Sequence, residues 1–266
     1  MTEKDFTRLK RRFLRYVESY RMNTPGDQQN IALKRDHTLK VCRDIGLITR
    51  GEAIGRRNDA LLARTAALLH DIGRFPQYAK FKTFNDGSSV NHGRLGAELL
   101  MKTDLKLKFL EGLSRREQSL IIRAVKYHSA LTLPRLDKRS VFLLRLVRDA
   151  DKLDIWRVFV EYFGQEKKDR STAAGQGLPE GEGIISPGVL RNIFENRLIS
   201  LAGIRNLNDY KLLLLSWVYD INFRTTFRLF RKRRYLERLA AYLPAGEEAD
   251  KAVAHLKEFV AQKTKN

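Results

Sequence analysis

Residues 58–72, NDALLARTAALLHDI, restrict the fold of this chain more than any other stretch. Asn58 is a suitable helix cap, and the residues that follow it are apolar on nearly all sides of a helix. Because a helix without a polar face has to be covered by other elements, we predict a central helix inside a larger bundle. This helix ends at His70 and Asp71, which bring an imidazole and a carboxylate together in its last turn.

Helical periodicity extends through most of the remaining chain, and the alternating β-branched runs typical of strands are absent. We therefore predict an all-α fold. The other predicted helices cover residues 4–22, 28–49, 91–100, a stretch from Ser114, 138–163, 187–199, 208–242 and 247–263. Ser114 and Glu117 have the spacing of a capping box.

Two segments lack helical periodicity. Residues 73–90 contain several aromatic side chains together with glycine, proline and serine, and we predict a loop next to His70. Residues 164–188 are rich in glycine and polar groups, which predicts a long flexible loop. Long loops in compact domains are often functional, so we expect this one to act as a lid.

The formal net charge of +20 favours anionic partners of any kind. Basic side chains concentrate at residues 8–15 and 224–238, where aromatic residues stand between them. Such a pattern is found in nucleic-acid surfaces, but it is also that of an amphipathic helix with buried aromatics and solvated charges. The helical spacing of Phe223, Phe227 and Phe230 favours the second interpretation.

Cellular location is constrained by what the sequence lacks. Cys42 is the single cysteine, so no intramolecular disulfide forms, and the first thirty residues do not resemble a cleavable signal. The longest apolar runs fall far short of the roughly 20 residues that cross a bilayer. We expect a cytoplasmic protein that does not enter a membrane.

Three further histidines lie where helices of a bundle would converge on His70. His37 lies four residues before Val41 and points inward on its helix. His92 lies at a helix start, and His128 ends the apolar stripe of its own helix. His255 lies between lysines and is predicted to be a surface residue.

The helix over residues 138–163 offers three carboxylates. Asp151 falls within the apolar stripe of this helix, with Asp154 beside it, and a buried carboxylate is costly unless a cation compensates it. An ion pair with a core arginine is one such compensation, and a metal ion is another. Asp149 instead shares a face with Arg145, Lys152 and Trp156, which suits it to a salt bridge. Asp151 is therefore the predicted ligand and Asp149 the reserve.

Neighbouring residues on a helix point about 100° apart, so His70 and Asp71 hold one metal only near a helix end or between two metals. A carboxylate that bridges two divalent ions, with imidazoles on each, is the usual arrangement for phosphoester hydrolysis. The order His37, His70-Asp71, His92, His128 and Asp151 on successive helices resembles the HD superfamily of metal-dependent phosphohydrolases. The strings ALLHDIGR and RDADKLD carry the resemblance, which spans roughly residues 30 to 160. The chain lacks the GYP string of the cyclic-dinucleotide phosphodiesterase subgroup, so it resembles the HDIG type.

This resemblance implies a ligand set. His37, His70, Asp71 and Asp151 would hold one metal, while a second would use Asp71 with His92 and His128. Mixed imidazole and carboxylate ligands suit Mn, Fe, Co, Ni or Zn better than Mg, and the resemblance leaves open whether one or two ions bind.

The expected reaction is attack on phosphorus by a metal-activated hydroxide. Asp71 is the expected bridge between the metals, and Arg74 and Lys152 are the expected cations near the phosphoryl oxygens. The expected substrate is a phosphomonoester or phosphodiester. We expect it to belong to a nucleotide whose base stacks on the aromatic segment from Phe75 to Phe84. A non-catalytic regulatory or RNA-binding protein of the same fold is the alternative, and no feature of the sequence predicts the oligomeric state.

The resemblance also implies a domain organisation. The expected architecture is a compact multi-helix HD-domain bundle with additional C-terminal helices. We predict a single domain over 1–266, with a metal-binding core at 30–160, the flexible loop at 164–188 and a C-terminal helical extension at 189–266.

Overall fold

The computed structural model describes residues 1–54, 57–102, 108–166, 168, 170, 171, 173 and 177–265. Within these residues every regular element is a helix and no strand occurs, which confirms the all-α prediction. The chain divides into two compact units, Met1–Asp154 and Ile155–Asn266. The single domain, with its core at 30–160 and its extension at 189–266, stays a prediction.

The described part of the first unit contains six complete helices and the beginning of a seventh. They are α1 (Glu3–Glu18), α2 (Pro25–Gly51), α3 (Arg57–Leu69), α4 (Arg74–Phe81), α5 (His92–Met101), α6 (Arg115–Tyr127) and α7 (Lys138–Gly164), which continues into the second unit. A single 3-10 turn at Asp86–Ser88 precedes α5. Hydrogen bonds in both directions between Ser114 and Glu117 confirm the predicted capping box at the start of α6.

Helix α3 is the centre of the first unit, as its apolar sequence predicts. It packs against α1, α2 and α6. Five of its apolar residues have no solvent exposure: Ala63, Ala66, Ala67, Leu68 and Leu69. Burying apolar surface on all sides stabilises the unit by about 25 cal/mol per Å².

The second unit contains the end of α7 and five shorter helices. They are α8 (Pro187–Phe194), α9 (Leu207–Ser216), α10 (Arg224–Lys232), α11 (Tyr235–Ala240) and α12 (Glu247–Lys265). The prediction of one helix over 208–242 is wrong. A 3-10 turn at Trp217–Asp220 ends α9, and Arg234, with a left-handed φ of 54°, separates α10 from α11.

The aromatic side chains of the two basic segments are buried. Phe13 in α1 is fully buried, and Phe227, Phe230 and Tyr235 are at most 5% exposed. Most of the basic side chains around them are exposed. This arrangement supports the amphipathic interpretation, since rings inside the core are not offered to nucleic-acid bases.

The segment between α7 and α8 contains no α-helix among its described residues. Residues 167, 169, 172 and 174–176 of the predicted loop lie outside the described residues. Its action as a lid stays a prediction. Across the described parts of the chain, none of the helices combines the length and the apolar character needed to cross a membrane.

Candidate metal centre

His70 and Asp71 lie in the turn that directly follows α3. The amide of Ile72 donates to the Leu69 carbonyl at 3.1 Å, and the amide of Arg74 donates to the Asp71 carbonyl at 2.9 Å. The His70 side chain is fully buried and that of Asp71 is 3% exposed. The end of the central helix therefore fixes both groups inside the core of the first unit.

Two glycines allow α5 to approach this turn closely. A Cβ atom at Gly73 would lie 2.2 Å from the His92 carbonyl oxygen, and one at Gly93 would lie 2.8 Å from the Lys126 carbonyl oxygen. Only glycine permits such backbone contacts. They bring the start of α5 and the end of α6 to Asp71.

His37 and His70 form what we call the first histidine pair. Their Nε2 atoms are 3.3 Å apart. Asp151 places its Oδ1 atom 3.0 Å from Nε2 of His37 and 3.5 Å from Nε2 of His70. Oδ2 of Asp71 lies 3.6 and 3.7 Å from the same two nitrogens. Four predicted ligands thus converge.

His92 and His128 form the second histidine pair, with Nε2 atoms 3.0 Å apart. Oδ1 of Asp71 lies 3.4 Å from Nε2 of His92 and 3.7 Å from Nε2 of His128. The two oxygens of Asp71 therefore face different histidine pairs. This is the geometry of a carboxylate placed between two ligand sets.

Each of the four rings is oriented by a hydrogen bond from Nδ1. His70 donates to the Ala67 carbonyl at 2.7 Å and His128 to the Val125 carbonyl at 2.8 Å. His37 and His92 donate instead to carboxylates, those of Asp154 and Asp86, each at 2.7 Å. Since the acceptors are oxygens, we assign the hydrogen to Nδ1, which leaves Nε2 free to coordinate.

This donor set fits a divalent metal. In neutral rings oriented this way, the Nε2 lone pairs of His92 and His128 face one another at 3.0 Å, which is unfavourable without a cation. Oδ1 of Asp151 is buried and has no hydrogen bond of good geometry among the described residues. Three overlapping ligand triads, His37–His70–Asp71, His70–His128–Asp151 and Asp71–His92–His128, each have all ligand atoms within 4.8 Å.

The electrostatics of the two pairs differ. Burial lowers the pKa of His37, but the carboxylates of Asp151 and Asp154, close to its two ring nitrogens, outweigh it and raise the pKa to about 9. Burial, reinforced by the positive charge of Arg74, lowers the pKa of His92 to about 3. In the metal-free protein at neutral pH, His37 therefore carries a second proton and His92 does not.

The carboxylates of the centre stay ionised despite their burial. Burial raises the pKa of Asp71, but electrostatic effects led by the charge of Lys34 outweigh it and hold the pKa well below its ordinary value. Contacts from His37 and His70 have the same effect on the pKa of Asp151. Ionised carboxylates are the state that coordinates metals.

Two cations border Asp71. Nζ of Lys34 lies 2.9 Å from Oδ2, on the side of the first pair. Nε of Arg74 lies 3.6 Å from Oδ1, on the side of the second pair, and is buried with no hydrogen-bond partner among the residues that the structure describes. The Nη1 atom of Arg74 is already engaged, because it donates to Asp86 Oδ1 at 2.7 Å and to the Phe84 carbonyl at 2.6 Å.

The other predicted site residues are placed as follows. Asp149 and Lys152 are buried in α7 beside Asp151, with exposures of 0% and 7%. Their roles as reserve ligand and phosphate-binding cation stay predictions. His255 belongs to the second unit, where its Nε2 atom lies 3.0 Å from Oδ1 of Asn196.

The predicted aromatic loop is wrong over much of its length, because Arg74–Phe81 forms α4. Phe75, Tyr78 and Phe84 are at most 7% exposed, so these rings are not available to stack on a base. Phe81 is exposed by 36%. Base stacking on this segment is therefore not supported.

Three residues of the centre were missed by sequence reasoning. Lys34 lies three residues before His37 on the same helix face, and that spacing was an available signal. Asp154 was noted only as a neighbour of Asp151, although it orients His37. Asp86 lies six residues before His92 in an irregular segment, so no periodicity pointed to it.

Residues 35–156 match the family model of the HD domain. The chain therefore carries an HD domain over this segment, and the resemblance to the HD superfamily is confirmed for these residues. The match contains all six predicted ligands and α3. No curated protein and no solved structure matches the chain significantly.

Proposed function

We propose that this protein is a metal-dependent phosphohydrolase that acts on a phosphomonoester or phosphodiester, with a nucleotide as the first substrate class to test. The main support for this proposal is the position of Asp71, whose two carboxylate oxygens face different histidine pairs. The HD domain supports the class of reaction. The net charge of +20 supports an anionic substrate but does not select a nucleotide.

The ligand set proposed for the first metal is His37, His70, Asp71 and Asp151. The ligand set proposed for the second metal is Asp71, His92 and His128. Divalent ions bound there would lower the pKa of water and polarise a phosphate oxygen. Imidazole and carboxylate donors favour Mn, Fe, Co, Ni or Zn over Mg.

The protein's own residues orient these groups and balance their charge. Carbonyl and carboxylate acceptors hold all four imidazoles with Nε2 facing inward. Arg74 would stabilise negative charge on the phosphoryl oxygens near the second pair. It would do so through Nε, since its Nη1 is held by Asp86. Lys152 is the second cation proposed for the phosphoryl group. Asp71 would keep the two ligand sets at a fixed separation.

The test combines metal analysis with a substrate panel. Protein loaded with Mn, Co or Ni should cleave p-nitrophenyl phosphate, bis-p-nitrophenyl phosphate or a member of a nucleotide panel. His70→Ala and Asp71→Ala should lose this activity, while His255→Ala, a histidine change in the second unit, should retain it. Protein that binds no metal and cleaves nothing would overturn the proposal and favour a non-catalytic protein.

A further inference from the structure

The two carboxylates that orient imidazoles have different surroundings. Asp154, behind His37, has a side chain that is 1% exposed. Asp86, behind His92, has a side chain that is 29% exposed, and it lies in the 3-10 turn before α5. The partner of the second pair is thus the one nearer to solvent.

Asp86 also binds more than one group. Its carboxylate accepts from Nδ1 of His92 at 2.7 Å, from Nη1 of Arg74 at 2.7 Å and from Nε2 of Gln77 at 3.0 Å. Gln77 in turn donates to the Val90 carbonyl at 2.9 Å. A single carboxylate therefore connects α4, the 3-10 turn and the first residue of α5.

The turn that carries Asp86 is itself held in place. The side chain of Asn85 accepts from the amides of Gly87 and Ser88 at 2.8 and 3.3 Å. The hydroxyl of Ser89 donates to the Asn85 carbonyl at 2.6 Å. These bonds fix the backbone on which Asp86 approaches His92.

Arg74 faces two carboxylates, that of Asp71 in the second ligand set and that of Asp86 behind His92. It pairs with Asp86 and lies 3.6 Å from Oδ1 of Asp71. Its charge opposes a divalent cation at the second pair, whereas the carboxylate behind His92 makes that imidazole a better donor. Removing Asp86 would leave the charge of Arg74 to act on Asp71 and would leave His92 without its orienting partner.

We propose that Asp86 is a positioning residue that determines whether the second ligand set, Asp71 with His92 and His128, holds a metal ion. The inference rests on the proposed function, because it assumes that the centre binds metal. Asp86 acts on the second position only. The first position has its own orienting carboxylate in Asp154.

The experiment measures metal stoichiometry and affinity directly. Wild-type protein, Asp86→Asn and the matched control Asp36→Asn are titrated with Mn²⁺ by calorimetry and analysed for bound metal. Asp36 is an exposed aspartate on α2 that pairs with Arg35. Electron paramagnetic resonance of the Mn-loaded protein reports whether two coupled ions are present.

Wild type and Asp36→Asn should bind two equivalents with a coupled spectrum. Asp86→Asn should retain the first equivalent and lose about 10- to 100-fold in affinity for the second. The coupled signal should then be replaced by that of isolated Mn²⁺. If Asp86→Asn does not fold, Asp86→Ser is measured in the same way, and circular dichroism checks both variants.

Other outcomes overturn the inference. Unchanged affinities in the Asp86 variant, or equal loss of both equivalents, would show that Asp86 does not control the second position. A wild-type protein with one equivalent would also overturn it, but would leave the proposed function standing as a one-metal enzyme. Absence of bound metal in the wild type would overturn both.

Discussion

The Nε2 atoms of His92 and His128 lie 3.0 Å apart. Each ring donates its Nδ1 hydrogen to an oxygen on its far side, so neither ring reorients without breaking that bond. In the neutral state the two nitrogens direct lone pairs at each other. The second histidine pair is therefore an unfavourable arrangement until a cation lies between the rings, and we expect metal binding to stabilise the folded protein.

Adding a divalent transition metal should raise the free energy of unfolding. An ion at about 100 times its dissociation constant adds about 2.7 kcal/mol if it binds only the folded state. Urea unfolding with Co²⁺ and with a chelator measures this difference. His70→Ala should lose most of it, and His255→Ala should keep it. Equal stabilisation of all three proteins would show that Co²⁺ acts elsewhere.

Lys34→Met should tighten metal binding by about tenfold or more. Nζ of Lys34 lies 2.9 Å from Oδ2 of Asp71, so its charge competes with a cation for the same oxygen. Repulsion between two positive charges at such distances costs several kcal/mol near a protein surface. Calorimetric titration with Mn²⁺ measures the change, and Lys40→Met, an exposed lysine of the same helix, is the control. Weaker binding in Lys34→Met would contradict this prediction.

The metal-free protein should lose stability as the pH rises from about 6.5 to about 9. The pKa of His37 is about 9 when folded, above the ordinary value of 6.5, so the folded state binds this proton more tightly. The resulting stabilisation is complete below pH 6.5 and disappears as the pH passes 9. Urea unfolding in the presence of a chelator measures it.

Asp154→Asn provides the test of this cause, because it removes one of the two carboxylates that raise the pKa of His37. The pH dependence above 6.5 should become shallower, and Asp36→Asn should leave it unchanged. The pKa of His92 is about 3 when folded, so this residue affects the pH dependence of stability only between about pH 3 and pH 6.5. An identical slope in wild type and Asp154→Asn would rule out His37 as the source.

Gly73→Ala should destabilise the protein by about 1–3 kcal/mol or more, because the new methyl group would lie 2.2 Å from the His92 carbonyl oxygen. The start of α5 would have to move away from Asp71, so the affinity for the second metal ion should fall as well. Gly26→Ala is the control, since nothing lies within 4 Å of its Cβ position. Chemical unfolding and metal titration of both variants separate the two effects.

The central helix and the inward placement of the six candidate ligand residues could be predicted because their signals are local. Apolar residues on all sides of α3 have few structural solutions, and helix register alone turns His37 and His128 inward. Lys34 and Asp86 were missed because their role depends on Asp71 and Arg74, which lie 37 and 12 residues away. Contacts of this kind leave no periodicity in the sequence.

Helix α4 was predicted as a loop because Pro76 and the surrounding aromatics resembled a breaker. Proline is tolerated in the first turn of a helix, where the amide has no intrahelical partner. The buried rings of Phe75 and Tyr78, three residues apart, were the helical signal that this interpretation overlooked. Similarly, the breaks in 208–242 depend on backbone conformations at 217–223 and Arg234 that composition does not specify.

The placement of Asp71 constrains how the centre can change during evolution. One carboxylate faces both histidine pairs, so under the proposed function a substitution there would damage both ion positions at once and would not convert a two-ion enzyme into a one-ion enzyme. Such a conversion would instead begin at His92, His128 or Asp86, which form or orient the second pair. Related proteins would therefore differ at His92, His128 or Asp86 before they differed at Asp71.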